Sequence, residues 1–171
     1  MMTRTHLLIL LLGLTQLFSS CVIRYRFNGA SIDYTKVKSI SIAEFPNNAP
    51  MVNPTLSSDL TEGIRDIFRR QTRLEVSQKD GDMELEGEIT NYYITPMAIS
   101  ADSYSAQTKL TMNVKVRFTN NTAPEESFEK TYSAFQIFDS SSMLNDVQDE
   151  LCATMIKEIA ESIFNDTVAR W

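Results

Sequence analysis

The chain has 171 residues, of which 43% are hydrophobic and 22% are charged, and its formal net charge is −6 at pH 7. This length suits one domain with a substantial core. The acidic balance argues against nucleic acid as the main partner, because proteins that bind it carry basic patches. Two cysteines are too few for a disulfide framework.

The N-terminal segment is typical of a secretory signal, with a short basic start, the apolar run "LLILLLGL" and small polar residues at its exit. This run is shorter than the roughly 20 apolar residues that a membrane-spanning helix needs. The letters "FSSC" at its end resemble the lipobox of bacterial lipoproteins, whose cysteine is acylated and whose chain is cut just before it. We therefore predict that residues 1–20 are removed and that Cys21 carries a covalent lipid. The alternative is an ordinary secretory signal followed by a free thiol.

A tether is predicted for residues 21–36 and one domain for residues 37–171. The domain begins with a strand in "VKSISIAEF", and the loop "PNNAPMVNP" follows it. A helix comes next, with Asn53 as its N-cap and Pro54 at its first position. Its apolar side chains recur every three or four residues, which predicts one buried stripe. The stripe consists of Leu56, Leu60, Ile64, Ile67 and Phe68.

Several strands follow the helix, and the first of them, "RLEVSQ", is short and marginal. In "DMELEGEITNYYIT" apolar residues alternate with glutamates, and the side chains predicted to be buried are Met83, Leu85, Ile89 and Tyr93. The period of two is clearest in "TKLTMNVKVRFT", so one face of the sheet is buried and the other is polar. A last strand, "SFEKTYSAFQIF", carries aromatic residues on both faces. Antiparallel pairing of the two long strands places an acidic row beside a basic one.

The chain closes with a long helix over roughly residues 145–169, with Asn145 and Gln148 as a capping box. Cys152 lies beside its apolar stripe, so we predict a small core residue rather than a reactive thiol. The predicted fold is therefore α+β, a two-layer sandwich in which two helices pack on one face of a mixed four-stranded sheet.

The residues that catalysis or metal binding needs are mostly missing. The only histidine is His6, inside the predicted signal, so no Ser–His or Cys–His pair remains and zinc or copper has almost no ligands. No glycine-rich phosphate loop is present. Carboxylates are plentiful, but Glu84, Glu86 and Glu88 alternate along one strand as a solvated face does. We expect no enzyme activity and no cofactor other than the lipid on Cys21.

Five segments together carry a resemblance to a known protein family. They are "FNGASIDY", "SISIAEFPNNAPMVNPTLSSDLTEGIRDIFRRQTRLEV", "DMELEGEITNYYITPMA", "TMNVKVRFTN" and "FDSSSMLNDVQDELCATMIKEIAESIFNDTVARW". These segments resemble the LptE family of lipopolysaccharide-assembly lipoproteins. The resemblance implies two helices on a four-stranded sheet and an anchor in the inner leaflet of the outer membrane. It also implies a partner, a large β-barrel of the lipopolysaccharide translocon in which the protein sits as a plug, and no active site.

No motif fixes a lipopolysaccharide contact, but phosphorylated head groups favour Lys and Arg on an exposed surface. Lys109, Lys115 and Arg117 on one polar strand face are the candidates for a lipopolysaccharide or barrel contact, although neighbouring glutamates offer to neutralise them. The loops "PNNAPMVNP" and "TPMAISADSYSAQ" are further candidates for the barrel. The first half of the chain is also similar to periplasmic lipoproteins that activate cell-wall synthases or build secretion channels, and an envelope hydrolase remains a third alternative.

Overall fold

A computed structural model describes residues 32–97 and 106–168 of the chain. The predicted signal, Cys21 and part of the loop "TPMAISADSYSAQ" lie outside these residues. Five strands and two helices are formed by these described residues. In chain order they are β1 (Ser39–Ile42), α1 (Leu56–Gln71), β2 (Glu75–Ser77), β3 (Met83–Pro96), β4 (Gln107–Asn120), β5 (Phe128–Asp139) and α2 (Leu144–Val168).

The strands form one mixed sheet in the order β2-β1-β3-β4-β5. β1 is parallel to both of its neighbours, whereas β3, β4 and β5 pair antiparallel. The α+β class and the mixed sheet are confirmed, but the prediction of four strands is wrong. The marginal segment "RLEVSQ" supplies the fifth strand, because Leu74 is buried and Val76 pairs with Ile40.

A β-bulge in β3 changes which of its side chains are buried. Met83, Leu85 and Ile89 point into the core as predicted, but the pairing with β4 shifts between Ile89 and Asn91. The extra residue reverses the alternation beyond it. Tyr92 is therefore buried and Tyr93 is 43% exposed, so the prediction that Tyr93 is buried is wrong.

Both predicted helices are present, but their starts differ from the prediction. α1 begins at Leu56 with Thr55 as its N-cap, whereas Asn53 is buried and its Oδ1 accepts hydrogen bonds from the backbone N–H and hydroxyl of Thr55. This local Asx turn uses the amide oxygen that was predicted to cap the helix. Asn145 lies inside α2, which begins at Leu144, so the predicted capping box is also wrong.

The helices cover one face of the sheet and run in the same direction along it. Gly63 of α1 lies against Ile156 of α2, and nearer their C-terminal ends the Phe68 and Phe164 rings meet edge to face at 5.3 Å. Every apolar residue predicted for the α1 stripe is buried. Burial of apolar surface between the two layers is the main force that holds such a sandwich together.

The sandwich has two distinct ends. The end where β3 leaves the sheet and β4 enters it, at Pro96 and Gln107, is called here the hairpin end. The opposite end, where a 3-10 helix (Pro124–Glu126) joins β4 to β5, is called the turn end. Ile32, the first described residue, lines a cavity at the turn end with Asn120 and Ala123. The first described stretch of the chain therefore begins at the turn end.

Candidate functional site: the outer face of the sheet

The face of β3, β4 and β5 that points away from the helices, called here the outer face, carries all three predicted basic residues. Lys115 and Arg117 lie near the turn end, while Lys109 lies six residues away toward the hairpin end. At about 3.3 Å per residue this separation is roughly 20 Å. The structure therefore brings two of the predicted residues together and leaves the third apart.

The two neighbouring cations share one carboxylate. Glu129 of β5 accepts from Lys115 Nζ through Oε1 at 2.7 Å and from Arg117 Nη2 through Oε2 at 3.3 Å. The hydrogen bond from Lys115, followed by that from Arg117, holds the pKa of the Glu129 carboxyl below its usual range. The predicted acidic row does lie beside the basic one, with Glu86 opposite Arg117, but the ion pairs cross to β5 instead.

A shallow cleft of about 360 Å³ surrounds this ion-pair cluster. Lys115 and Arg117 line it together with four carboxylates, which belong to Glu44, Glu86, Glu88 and Glu129. Because negative charges outnumber positive ones there, the cleft does not present the excess positive charge that a phosphate group favours. Lys115 and Arg117 thus form part of a solvated face whose net charge is negative.

Lys109 has different surroundings. Its ammonium lies 5.5 Å from the centroid of the Phe135 ring, within the range of a cation–π contact. In the described ranges it has no ion pair with a carboxylate under 4.0 Å. Its charge therefore remains available to an anionic group in a way that the charges of Lys115 and Arg117 do not.

Aromatic side chains flank a buried hydroxyl beside Lys109. In the strand register Thr111 lies between Tyr93 of β3 and Phe135 of β5. The Thr111 hydroxyl and the amide oxygen of the neighbouring Asn113 are buried and make no hydrogen bond within residues 32–97 and 106–168. Sequence reasoning counted both as solvated residues, and the only signal of this cluster was the aromatic content of the last strand on both of its faces.

The exposed apolar residues of the described chain gather in the half of the molecule nearer the hairpin end. Val52 and Met143 are the most exposed, at 80% and 75%, and they precede α1 and α2. Tyr93, Ile94, Met97, Phe135 and Ile137 complete the set, called here the apolar end. A concentration of exposed apolar side chains at one end of a protein is typical of a surface that contacts something else.

The described residues show neither a candidate metal site nor a candidate membrane-spanning helix. In residues 32–97 and 106–168, no group of three or more His, Cys, Asp or Glu side chains is arranged to hold a metal ion. Over the same ranges neither helix is long and apolar enough to span a bilayer. Cys21, the predicted lipidation site, lies outside the described residues.

Solved structures share the fold at low sequence identity. The rare lipoprotein B from Shewanella oneidensis matches 75% of this chain and 92% of its own, with a TM-score of 0.52 and 11% identity. The hypothetical protein CT253 from Chlamydia trachomatis matches 78% of this chain and 99% of its own, with a TM-score of 0.51 and 10% identity. Among curated proteins no match is found.

A family model described as "LptE: Lipopolysaccharide-assembly" matches residues 37–167. This range begins just before β1 and ends within the last turn of α2, so it covers both layers of the sandwich. It also includes the whole outer face and the apolar end. The chain belongs to the LptE family of lipopolysaccharide-assembly lipoproteins.

Proposed function

We propose that this protein is a non-enzymatic outer-membrane lipoprotein, anchored through Cys21 on the periplasmic side, that partners the β-barrel of the lipopolysaccharide translocon. In this role it assists the assembly of lipopolysaccharide at the outer membrane. The observation that carries the proposal is the family match over residues 37–167, which spans the complete folded domain. Membership of a lipopolysaccharide-assembly family supports a lipoprotein role in the cell envelope.

The apolar end is the surface that we assign to the barrel. Its side chains come from the parts of β3 and β5 nearer the hairpin end and from the residues just before α1 and α2. A partner at the hairpin end would therefore cover them together. Interfaces that persist bury a core of apolar and aromatic residues inside a polar rim. Tyr93 and Phe135 provide the aromatic part, and the Thr111 hydroxyl between them lacks a partner within the described chain.

Lys109 is the basic residue best placed to meet lipopolysaccharide phosphate at this surface. Its ammonium lies over the Phe135 ring, and a cation beside an apolar surface is desolvated on contact, which strengthens its attraction to an anion. Lys115 and Arg117 are less suited, because Glu129 already accepts hydrogen bonds from both. The original set of three candidates is thereby reduced to one.

Co-purification tests the proposal directly. A tagged full-length chain, extracted from outer membranes in a mild detergent, should retain a large β-barrel protein that mass spectrometry identifies. Recovery of a peptidoglycan synthase in its place would support the alternative role as an activator of cell-wall synthesis. Failure to retain any outer-membrane barrel, from a strain that expresses the lipidated chain, would overturn the proposal.

The anchor is tested by Cys21→Ser. Without the thiol no diacylglycerol can be attached, so we expect an unprocessed precursor or a form that no longer partitions into detergent. The loss should be large, because several acyl chains hold a protein firmly while one gives only marginal binding. Detergent partitioning and the mass of the mature chain are the measurements, and Cys152→Ser is the matched control. Unchanged partitioning of the Cys21→Ser variant would contradict lipidation.

A further inference from the structure

The strand β5 forms a long sheet edge with little protection. In the described part of the chain its only strand neighbour is β4, and it is 12 residues long, whereas the opposite edge strand β2 has three. Residues 133–138, "SAFQIF", contain no charge and no proline. Phe135 and Ile137 on this stretch are 53% and 41% exposed. Natural sheets usually protect such an edge with charges, proline or a covering segment.

We propose that residues 22–27, "VIRYRF", which lie outside the described residues, add to β5 as an antiparallel sixth strand. The direction follows from where the described chain begins. Ile32 lies at the turn end, where β5 also starts. Residues 22–31 therefore run toward the turn end while β5 runs away from it, which is the antiparallel sense.

The length of the segment matches the edge. Residues 21–31 span at most about 36 Å when extended, at about 3.3 Å per residue. From Phe128 to Phe138 the edge measures roughly 33 Å on the same basis. The segment can therefore reach from Ile32 to the far end of β5 without disturbing the folded domain, and residues 22–27 within it are rich in the β-forming residues Val, Ile, Tyr and Phe.

The alternation of apolar and basic side chains in residues 22–27 matches the two faces of the sheet at β5. Ile23, Tyr25 and Phe27 share one face of an extended strand, and Arg24 and Arg26 share the other. With Tyr25 opposite Phe135, Ile23 meets Ile137, so apolar side chains adjoin the exposed apolar ones. The same register places Ile32 level with Phe128, in agreement with its position at the turn end.

The two arginines then face the helix side of the sheet, where α2 presents carboxylates along the edge. Glu158 lies beside β5, because its Oε1 accepts a hydrogen bond from Gln136 Nε2 at 3.1 Å. Asp166 lies there as well, since its Oδ2 accepts from the Tyr132 hydroxyl at 2.7 Å and also pairs with Lys130 Nζ. The residues 21–31 contain no acid, so basic side chains adjoin acidic ones and apolar side chains adjoin apolar ones.

This strand would decide where the lipid emerges. In the register above Cys21 lies opposite Asp139, at the hairpin end, although the first described stretch begins at the turn end. The anchor would then hold the apolar end toward the membrane in which the proposed barrel lies. That consequence rests on lipidation of Cys21, whereas the strand addition itself needs neither the lipid nor the barrel.

Disulfide trapping in the full-length chain tests the register. Opposed residues in an antiparallel pair have Cα atoms about 4.5–5.5 Å apart, a separation that a disulfide accepts. Tyr25→Cys with Phe135→Cys should form an intramolecular disulfide in the oxidising envelope, seen as a mobility shift that a reductant abolishes. Arg24→Cys with Phe135→Cys is the matched control, because these side chains point to opposite faces. We expect at least a fivefold difference in yield.

Equal yields from the two pairs would overturn the proposal. Disulfide-linked dimers of the Phe135→Cys single variant would also overturn it, because a second copy would then occupy the edge. Hydrogen exchange gives a measurement without engineered cysteines. Replacing residues 22–27 by glycine and serine should accelerate exchange in residues 133–138 at least tenfold and leave β4 unchanged, and no acceleration would likewise refute the sixth strand. Both experiments measure pairing within this chain and not recovery of the barrel, so their failure is distinct from failure of the proposed function.

Discussion

The thiol of Cys152 lies where three segments of the chain meet. It is 3.2 Å from the Tyr92 hydroxyl of β3 and 3.8 Å from Nδ2 of Asn53, which precedes α1. Burial raises the pKa of the Cys152 thiol, and burial followed by the contact with Cys152 also raises the pKa of Tyr92. The cluster fastens α2 to the sheet and to the start of α1, and the predicted role of Cys152 as a small core residue is confirmed.

The free energy of unfolding should therefore fall at alkaline pH, partly because Cys152 loses its proton more readily in the unfolded chain. An unfolded thiol releases its proton near pH 8.5, whereas the folded protein keeps it bound because the pKa is raised. The stability that the folded protein gains from the protonated Cys152 thiol is complete below about pH 8.5. It is lost as the pH rises through the pKa of Cys152 in the folded protein. We expect the free energy of unfolding to fall between pH 7.5 and 9.5, and to fall less in Cys152→Ala. Urea unfolding at both pH values is the measurement, and equal declines in the two proteins would contradict the assignment.

The contact between the two helices depends on a glycine. A Cβ atom built on Gly63 would lie 2.6 Å from Cγ2 of Ile156, closer than carbon atoms approach one another. The absent side chain lets α1 and α2 lie close together over the sheet. The spacing of apolar residues predicts a buried stripe but says nothing about how near the neighbouring helix comes, so this role of Gly63 was not predicted.

A large side chain at this contact should separate the helices. Gly63→Leu forces Ile156 or a helix to move, and overpacking of this kind typically costs about 1–3 kcal/mol. Ala153→Leu is the matched control, because Ala153 is an exposed residue of α2 in the same groove. Thermal unfolding should show a clearly lower Tm for Gly63→Leu alone. A similar Tm for both variants would mean that the two helices accommodate the larger side chain without loss of stability.

At the scale of the whole molecule, the two ends differ in chemistry. The turn end carries the start of the first described stretch and the Glu129 ion-pair cluster, and the hairpin end carries exposed aliphatic and aromatic side chains. Surface apolar residues scattered singly need no explanation, but their concentration at one end marks a contact surface. The barrel proposed as partner would cover this end.

Polar substitutions at the apolar end should separate folding from assembly. Val52→Ser with Met143→Ser removes the two most exposed apolar side chains of the described chain, so we expect an unchanged Tm together with a loss of at least fivefold in co-purified barrel. Val114→Asp, on the buried face of β4, is the contrasting variant and should unfold the domain, because it buries a charge without a partner. Full recovery of the barrel with the double variant would assign the contact to another surface.

Local patterns in the sequence predict most of the side chains that are buried between the two layers. The alternation in β4 correctly assigns Leu110, Met112, Val114, Val116 and Phe118 to the core, and the stripe of α1 is buried as its spacing indicates. These assignments succeed because the period of side chains along a strand or helix is a property of neighbouring residues. The resemblance to the LptE family is also visible in the sequence alone, because the segments that carry it are spread along the whole domain.

Only tertiary structure determines what depends on distant residues. Three residues are too few to show a period, so β2 becomes a strand because β1 offers it an edge, and the bulge that exposes Tyr93 is visible only in the pairing with β4. Glu129 lies more than ten residues along the chain from both Lys115 and Arg117, and the register of β4 with β5 makes it their shared partner. The sequence by itself determined which residues are charged and, along β4 and α1, which apolar residues are buried. Pairing between strands decided which charges neutralise each other, and left Lys109 among aromatic side chains at the apolar end.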